Sequence, residues 1–323
     1  ETEGELPRAM EYLKRLDIEY PVHWSAPAAR RLRRQIEKKG TSTAIEFKNR
    51  SVDERLTRAE RLLKVHRNKE AVFLLSEVGA LGLNDEESCR LNYLHGRALR
   101  KLRRWRPAQK ALSLAVKSCQ VARHDLLPWA LYLSGQAAER LGKEAQAASF
   151  FRRIYQEFPT HRLADDGAYY ELRHAIEDLG DLPLAEKLAL RALQAYPEGD
   201  MLMPGVFFVA LHALLKGELT RAERILKAGV QTSPRGYKPR ARAAYWLARI
   251  AQLKGKKVAA ARGYETLMED LPLTWYGLLA HARLEKISKR RVAQTRAKVA
   301  TAQVEPLFNP FTWDGESDDL LSE

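Results

Sequence analysis

Two cysteines, eight histidines and a surplus of basic side chains are the residues of this chain that could do chemistry. The histidines, at positions 23, 66, 95, 124, 161, 174, 212 and 281, are scattered. None stands at the His-Glu-x-x-His spacing that puts two imidazoles on one helix face for a metal, and neither Cys89 nor Cys119 has a Cys-x-x-Cys partner. No Gly-rich phosphate loop and no Gly-x-Ser-x-Gly elbow occurs. The carboxylate pairs Glu86-Glu87 and Asp165-Asp166 fall at turns where helices should begin, and capping of helix N-termini accounts for them. The sequence therefore assigns no catalytic residue, no metal and no cofactor. What remains is cationic. Lys and Arg number 55 against 41 Asp and Glu, a formal net charge of +14. That balance invites a polyanion, either nucleic acid, membrane headgroups or an acidic wall polymer, although long Lys and Arg chains also simply solvate a helical surface. No zinc-finger spacing, aromatic RNP run or helix-turn-helix is present, which argues against nucleic acid. No apolar run is long enough to span a bilayer. Positive charge concentrates at Arg30-Arg31-Leu32-Arg33-Arg34 and Lys289-Arg290-Arg291.

The elements that would position these side chains follow from an internal repeat. Six segments share one frame, anchored at His66, Arg103, Gly142, Gly180, Gly217 and Gly255, with successive spacings of 37, 39, 38, 37 and 38 residues. Five residues after each anchor stands an alanine: Ala71, Ala108, Ala147, Ala185, Ala222 and Ala260. Ten residues before each stands a large apolar or aromatic residue: Leu56, Tyr93, Tyr132, Tyr170, Phe207 and Tyr245. The last four units place a proline, at 159, 197, 234 and 272, twelve residues beyond the alanine. A period of this length predicts a helical solenoid. Within one unit, Trp129 to Leu141 and Ala145 to Phe158 carry apolar residues at helical spacing, with Gly142 between them and Pro159 after them. Such a hairpin cannot bury its apolar faces alone, so the units must stack, with the aromatic row and the alanine row buried between helices. Alternating apolar–polar runs bounded by turns are absent, and the fold expected is all-α, a right-handed α-solenoid (superhelix) of TPR-like helical hairpins, each a few residues longer than the usual 34.

Residues 1–50, with helices over Leu6 to Leu16 and Ala26 to Lys39 split at Tyr20-Pro21, are expected to cap one end of a single elongated body. Residues 51–286 hold six hairpins and a closing helix, and residues 287–323 read as a linker or tail, with a helix over Arg291 to Val304 and five acids in its last ten residues. Cys89 and Cys119 lie equidistant from residue 104, in the turn of the second hairpin. They should face each other at its open end, as a disulfide if the compartment is oxidising or as two small buried thiols if it is not.

The last hairpin carries the most specific text. It reads Ala243-Ala244-Tyr245-Trp246-Leu247-Ala248-Arg249, then Gly255 and Tyr264, then Pro272-Leu273-Thr274-Trp275-Tyr276-Gly277-Leu278-Leu279-Ala280. This resembles the end of the helical superhelix in Slt-type soluble lytic murein transglycosylases. The resemblance implies a non-catalytic superhelical module that binds or positions peptidoglycan in the periplasm, after removal of a signal peptide, with which a chain opening on Glu1 agrees. It also implies that a lysozyme-like catalytic domain would follow the tail. That domain's Glu-Ser and Gly-Leu-Met-Gln motifs are not in this chain: Glu87-Ser88 opens a repeat helix and Glu316-Ser317 lies in the acidic tail. The alternative is a cytoplasmic scaffold, without export, that binds a partner protein along its groove. In either reading the first helices of the hairpins should line the concave face. Their arginines, Arg97, Arg140, Arg173, Arg242 and Arg249 together with Arg90 and Arg100, would meet the carboxylates of peptidoglycan or another anionic polymer. Trp275 and Tyr276 either stack on sugars or close the last core.

Overall fold

The computed structural model describes residues 5–38, 51–232 and 238–301, which form sixteen helices and no strand. Two compact units divide them, one through Phe150 and one from Phe151 onward.

In the first unit, α1 (Glu5–Glu19) and α2 (Ala26–Lys38) precede hairpin α3 (Val52–Lys64)/α4 (Asn68–Val78) and hairpin α5 (Asp85–Lys101)/α6 (Trp105–Val121). Helix α7 (Leu127–Glu139) follows, and α8 (Glu144–Glu157) runs across the division between the units. Helices α3 and α5 start where side chains satisfy free backbone N–H groups. Ser51 with Glu54, and Asn84 with Glu87, make reciprocal capping boxes. Hairpins turn where one residue takes the left-handed conformation, and that residue is the sequence anchor each time: His66 at φ 60°, Arg103 at 57° and Gly142 at 67°. The alanines five residues on are buried at the helix–helix contact, where a larger side chain would hold the helices apart.

The N-terminal helices are tied to the first hairpin by charge as well as by packing. Asp17 is fully buried, and Arg30, Arg33 and Arg58 each place a guanidinium nitrogen 3.4 Å from its carboxylate. The basic run at Arg30–Arg34 is thus not a free cationic patch: two of its arginines turn inward to Asp17, and Arg34 donates to the Arg30 carbonyl at 3.2 Å. Residues 39–50 of the expected cap lie outside the described residues.

In the second unit, α9 (Ala164–Glu177)/α10 (Leu182–Ala195), α11 (Leu202–Leu215)/α12 (Leu219–Thr232) and α13 (Lys238–Leu253)/α14 (Lys257–Asp270) repeat the same hairpin. Here the left-handed positions are all glycine: Gly180, Gly217 and Gly255 at φ 64°, 75° and 75°. The expected proline at 234 lies outside the described residues. Helix α15 (Trp275–Ile287) closes the last hairpin, and Gly277 is obligatory there, since a Cβ would fall 2.2 Å from the Leu271 carbonyl oxygen. Within the stretch expected as a linker from residue 287, Lys289–Thr301 forms a further helix, α16. Its Arg291 Nη2 donates to Glu265 Oε2 at 2.5 Å and its Val292 and Thr295 are buried, so this part of the stretch belongs to the packed body. Residues 302–323 lie outside the described residues.

The aromatic row departs from expectation. Leu56, Tyr93 and Tyr245 are buried, but Tyr132, Tyr170 and Phe207 are only half-buried. The physical reason is that the first helix of a hairpin contributes to a groove as well as to the contact with its partner. Rings at this position have one face on the core and one on the groove, where arginines cover them: Arg242 lies 4.0 Å from the Phe207 ring centre and Arg173 lies 5.3 Å from that of Tyr170.

Candidate functional site

In the first unit, α5 and α7 carry the first-helix faces of two consecutive repeats. Arg90, Tyr93, Arg97, Arg100 and Lys101 recur at three- and four-residue steps, which puts them on one face of α5. Trp129, Tyr132 and Leu133 do the same on α7. Together with Glu60, Leu94 and Leu126 they line a groove of about 320 Å³. Its walls carry four cations and one acid, and its floor carries a tryptophan and two tyrosines.

The cations are held to different degrees. Arg90 pairs with the Asp53 carboxylate and lies 3.5 Å from Thr57 Oγ1. Arg100 donates from Nη1 to Gln136 Oε1 at 3.1 Å, one repeat further on. Arg97, half-buried between them, makes no hydrogen bond or ion pair with any described residue. A guanidinium over an apolar and aromatic floor, partly screened from water, favours a planar anion that accepts two N–H groups at once, a carboxylate above all. The lining offers guanidinium donors, an ammonium group and aromatic faces, groups suited to holding an anionic, partly apolar segment.

The remaining arginines of the expected row are not gathered into this groove. Arg140 lies 5.8 Å from the ring centre of Trp105. In the second unit, Arg173 bonds Glu177 at 2.8 Å, Arg242 covers Phe207, and Arg249 donates to Gln252 at 2.6 Å. Trp275 and Tyr276 part company: Tyr276 packs in the core 5.5 Å from Tyr245, while Trp275 is 69 % exposed beside Leu273 and Leu278. Cys89 and Cys119 form a disulfide joining α5 to α6.

Carboxylates elsewhere have structural partners. Glu186, 6 % exposed, receives Arg221 and Arg224 from the following repeat. Glu171 receives Arg152 at 2.7 Å and the Tyr155 hydroxyl, and burial pushes that phenol well above its ordinary pKa. Asp165, Asp166 and Asp200 bring carboxylate oxygens within 4.8 Å of one another. Asp165 accepts the Met201 N–H at 3.1 Å, a tie to the start of the next hairpin, and also bonds backbone N–H groups at the start of its own helix. Burial raises its pKa, against the pull of those N–H groups. The sequence had not singled out Trp129 or the groove. The available signal was the pairing of Tyr93 and Arg97, four apart on one helix, with Trp129 and Tyr132, three apart on the next such helix.

A tetratricopeptide repeat family model matches residues 129–161, the hairpin formed by α7 and α8. The repeats are TPR-like. No curated protein matches the chain. Among solved structures, the C-terminal part of a TPR repeat-containing protein from Cytophaga hutchinsonii is 13 % identical, with a TM-score of 0.58 over 85 % of this chain and 98 % of its own. The apo form of RapI is 10 % identical, with a TM-score of 0.55 over 91 % of this chain and 86 % of its own. At such identities the likeness is one of fold. No described helix is long and apolar enough to cross a membrane.

Proposed function

We propose that this chain is a TPR-like scaffold that binds an extended, acidic segment of a partner protein in the groove between α5 and α7. The observation that carries this reading is Arg97, an arginine with no partner among the described residues, held between Arg90 and Arg100 and beside the Trp129 and Tyr132 rings. Arginines give direction to carboxylates, and the rings accept an apolar or aromatic side chain of the same segment, the pairing of anchors that dominates such interfaces. Selection of random 12-residue peptides on the purified chain tests it. Enrichment of peptides combining Asp or Glu with an aromatic or Leu residue is expected, with binding weakened at least ~10-fold by Arg97→Glu, the cost of turning one close charge pair repulsive. Selected peptides that bind equally well to the Arg97→Glu chain would place the binding surface elsewhere.

One observation favours a second reading, the cell-wall module. A disulfide such as Cys89–Cys119 persists in an oxidising compartment, which fits export to where peptidoglycan lies. In that reading the same arginines attract the carboxylates of the wall's peptide stems. Sedimentation with purified sacculi tests it: binding is expected to fall with salt and with Arg97→Glu, and no co-sedimentation at low salt would end it.

A further inference from the structure

The groove has a ready-made ligand in its own chain. Residues Asp314 to Glu323 contain five carboxylates, at Asp314, Glu316, Asp318, Asp319 and Glu323, and no lysine or arginine. Immediately before them stand Phe311 and Trp313. This is the composition that a wall of Arg90, Arg97, Arg100 and Lys101 over the rings of Trp129 and Tyr132 would select. The other arginines of the first-helix row and the basic N-terminal run offer less. The second unit's corresponding arginines are engaged with Glu177, Gln252 and the Phe207 ring, and the Arg30–Arg33 pair is turned onto Asp17.

We propose that the acidic segment Asp314–Glu323 occupies the α5/α7 groove of its own molecule as an internal competitor, so that a partner must displace it to bind. This rests on the reading of the groove as a binding site for an acidic segment, and adds its regulation. Tethering makes a weak attraction sufficient. At a tethered effective concentration of ~1 mM, an intrinsic Kd of ~0.1 mM would weaken any competing ligand about 10-fold. Exposed charge pairs are screened within about 8 Å at physiological salt, so the competition should relax as salt is raised.

The experiment compares the full chain with a full-length variant in which the five acids are neutralised, D314N, E316Q, D318N, D319N and E323Q. The probe is a fluorescein-labelled synthetic peptide of residues 310–323, followed by anisotropy. The expected result is binding at least ~10-fold tighter to the neutralised chain than to the unaltered one, by the tether arithmetic above, and loss of that binding when Arg97→Glu and Lys101→Glu are added. Both groove substitutions are on the α5 surface, and an unchanged thermal melt confirms that the variant folds. Equal affinity for the two chains would overturn the proposal while leaving the groove reading intact, provided selected acidic peptides still depend on Arg97. Failure of the peptide to bind the neutralised chain at all would also overturn it. A mass that rises with concentration for the unaltered chain, and not for the neutralised one, would show the segment acting between copies and so would overturn the intramolecular assignment.

Discussion

The two units build the same hairpin from different materials. The second turns on Gly180, Gly217 and Gly255, residues with no side chain to clash in the left-handed conformation, and joins successive repeats with buried carboxylates such as Glu186. The first turns twice on residues that pay for that conformation, His66 and Arg103, and adds Arg123 at φ 50° in the turn after α6. It is also the unit with a covalent cross-link and with a buried aspartate shared by three arginines. The difference shows that the repeat frame fixes where the chain must turn but not how the turn is stabilised. Where the local choice is strained, long-range ties hold it, and the same arginine-rich surface that makes those ties also leaves Arg97 for a ligand.

The largest expected effect comes from the cross-link. Replacing Cys89 and Cys119 by Ala releases a loop closed over a separation of 30 residues, which costs about 3.6 kcal/mol on chain entropy alone. Urea unfolding of the variant should show the loss in the first unit, with the second unit's transition unmoved. A single transition displaced as a whole would mean that the units unfold together and that the contrast drawn between them is not energetic. In protein purified without reductant, mass spectrometry with and without reduction should differ by two hydrogens.

Next in size is Asp17→Asn, which leaves Arg30, Arg33 and Arg58 facing one another across a neutral amide. Breaking a buried ion cluster in this way costs about 3 kcal/mol, at the low end of the range because the arginines retain some exposure. Hydrogen exchange should then rise in α1 and α2 before it rises in α5. Unchanged protection there would show that packing alone docks the N-terminal helices.

The turns give a smaller and opposite pair. Gly217→Ala places a methyl group at φ 75° and should cost about 1 kcal/mol, whereas Arg103→Gly relieves φ 57° and should be neutral or stabilising by up to about 1 kcal/mol. Thermal melts that show both changes destabilising would mean that the Arg103 side chain contributes more than its backbone conformation costs.

The smallest effect is a pH dependence in the second unit. Bonds from Lys227 and Lys254, at 2.7 and 2.6 Å, pull the Glu223 carboxyl down to about 2 from an ordinary 4.5. Because the folded value lies below the unfolded one, the stabilisation is fully present above 4.5 and is lost as pH falls toward about 2. The stability difference between the unaltered chain and Glu223→Gln should therefore shrink through that window. A difference that stays constant from neutral pH to below the window would remove the ion pair as its cause.

Much of the fold was legible because helical repeats are a local code. The anchors were picked out by spacing alone, and every one of them takes a positive φ, including His66 and Arg103, whose residue types do not suggest it. The alanine row is buried for the same reason: a fixed offset from a turn is a fixed place on a helix face. The aromatic row was less legible. Whether Tyr132 or Phe207 lies between helices or borders a groove depends on how closely the next repeat packs, which no residue within the repeat reports. The arginines were the least legible. Their helical face could be read from the sequence, and so could the partners of Arg173 and Arg249 one turn along their own helices, but other partners lie on different helices, as Phe207 does for Arg242 and Asp17 for Arg30 and Arg33.

By itself, then, the sequence determined the all-helical repeat, the position of each turn and the residues at the closest helix contacts, because these follow from periodicity, glycine's freedom at positive φ and the small volume of alanine. Only the tertiary structure decided which cations are already spoken for. An arginine is long, always charged and satisfied by whichever carboxylate, amide or ring comes within reach, and that reach crosses from one repeat to the next. Arg173 closes on Glu177 one turn along its own helix, as the sequence spacing allows; Arg97 has Lys101 at that place, and only the packing of the next repeat shows that it lines a groove with aromatic side chains and two further arginines.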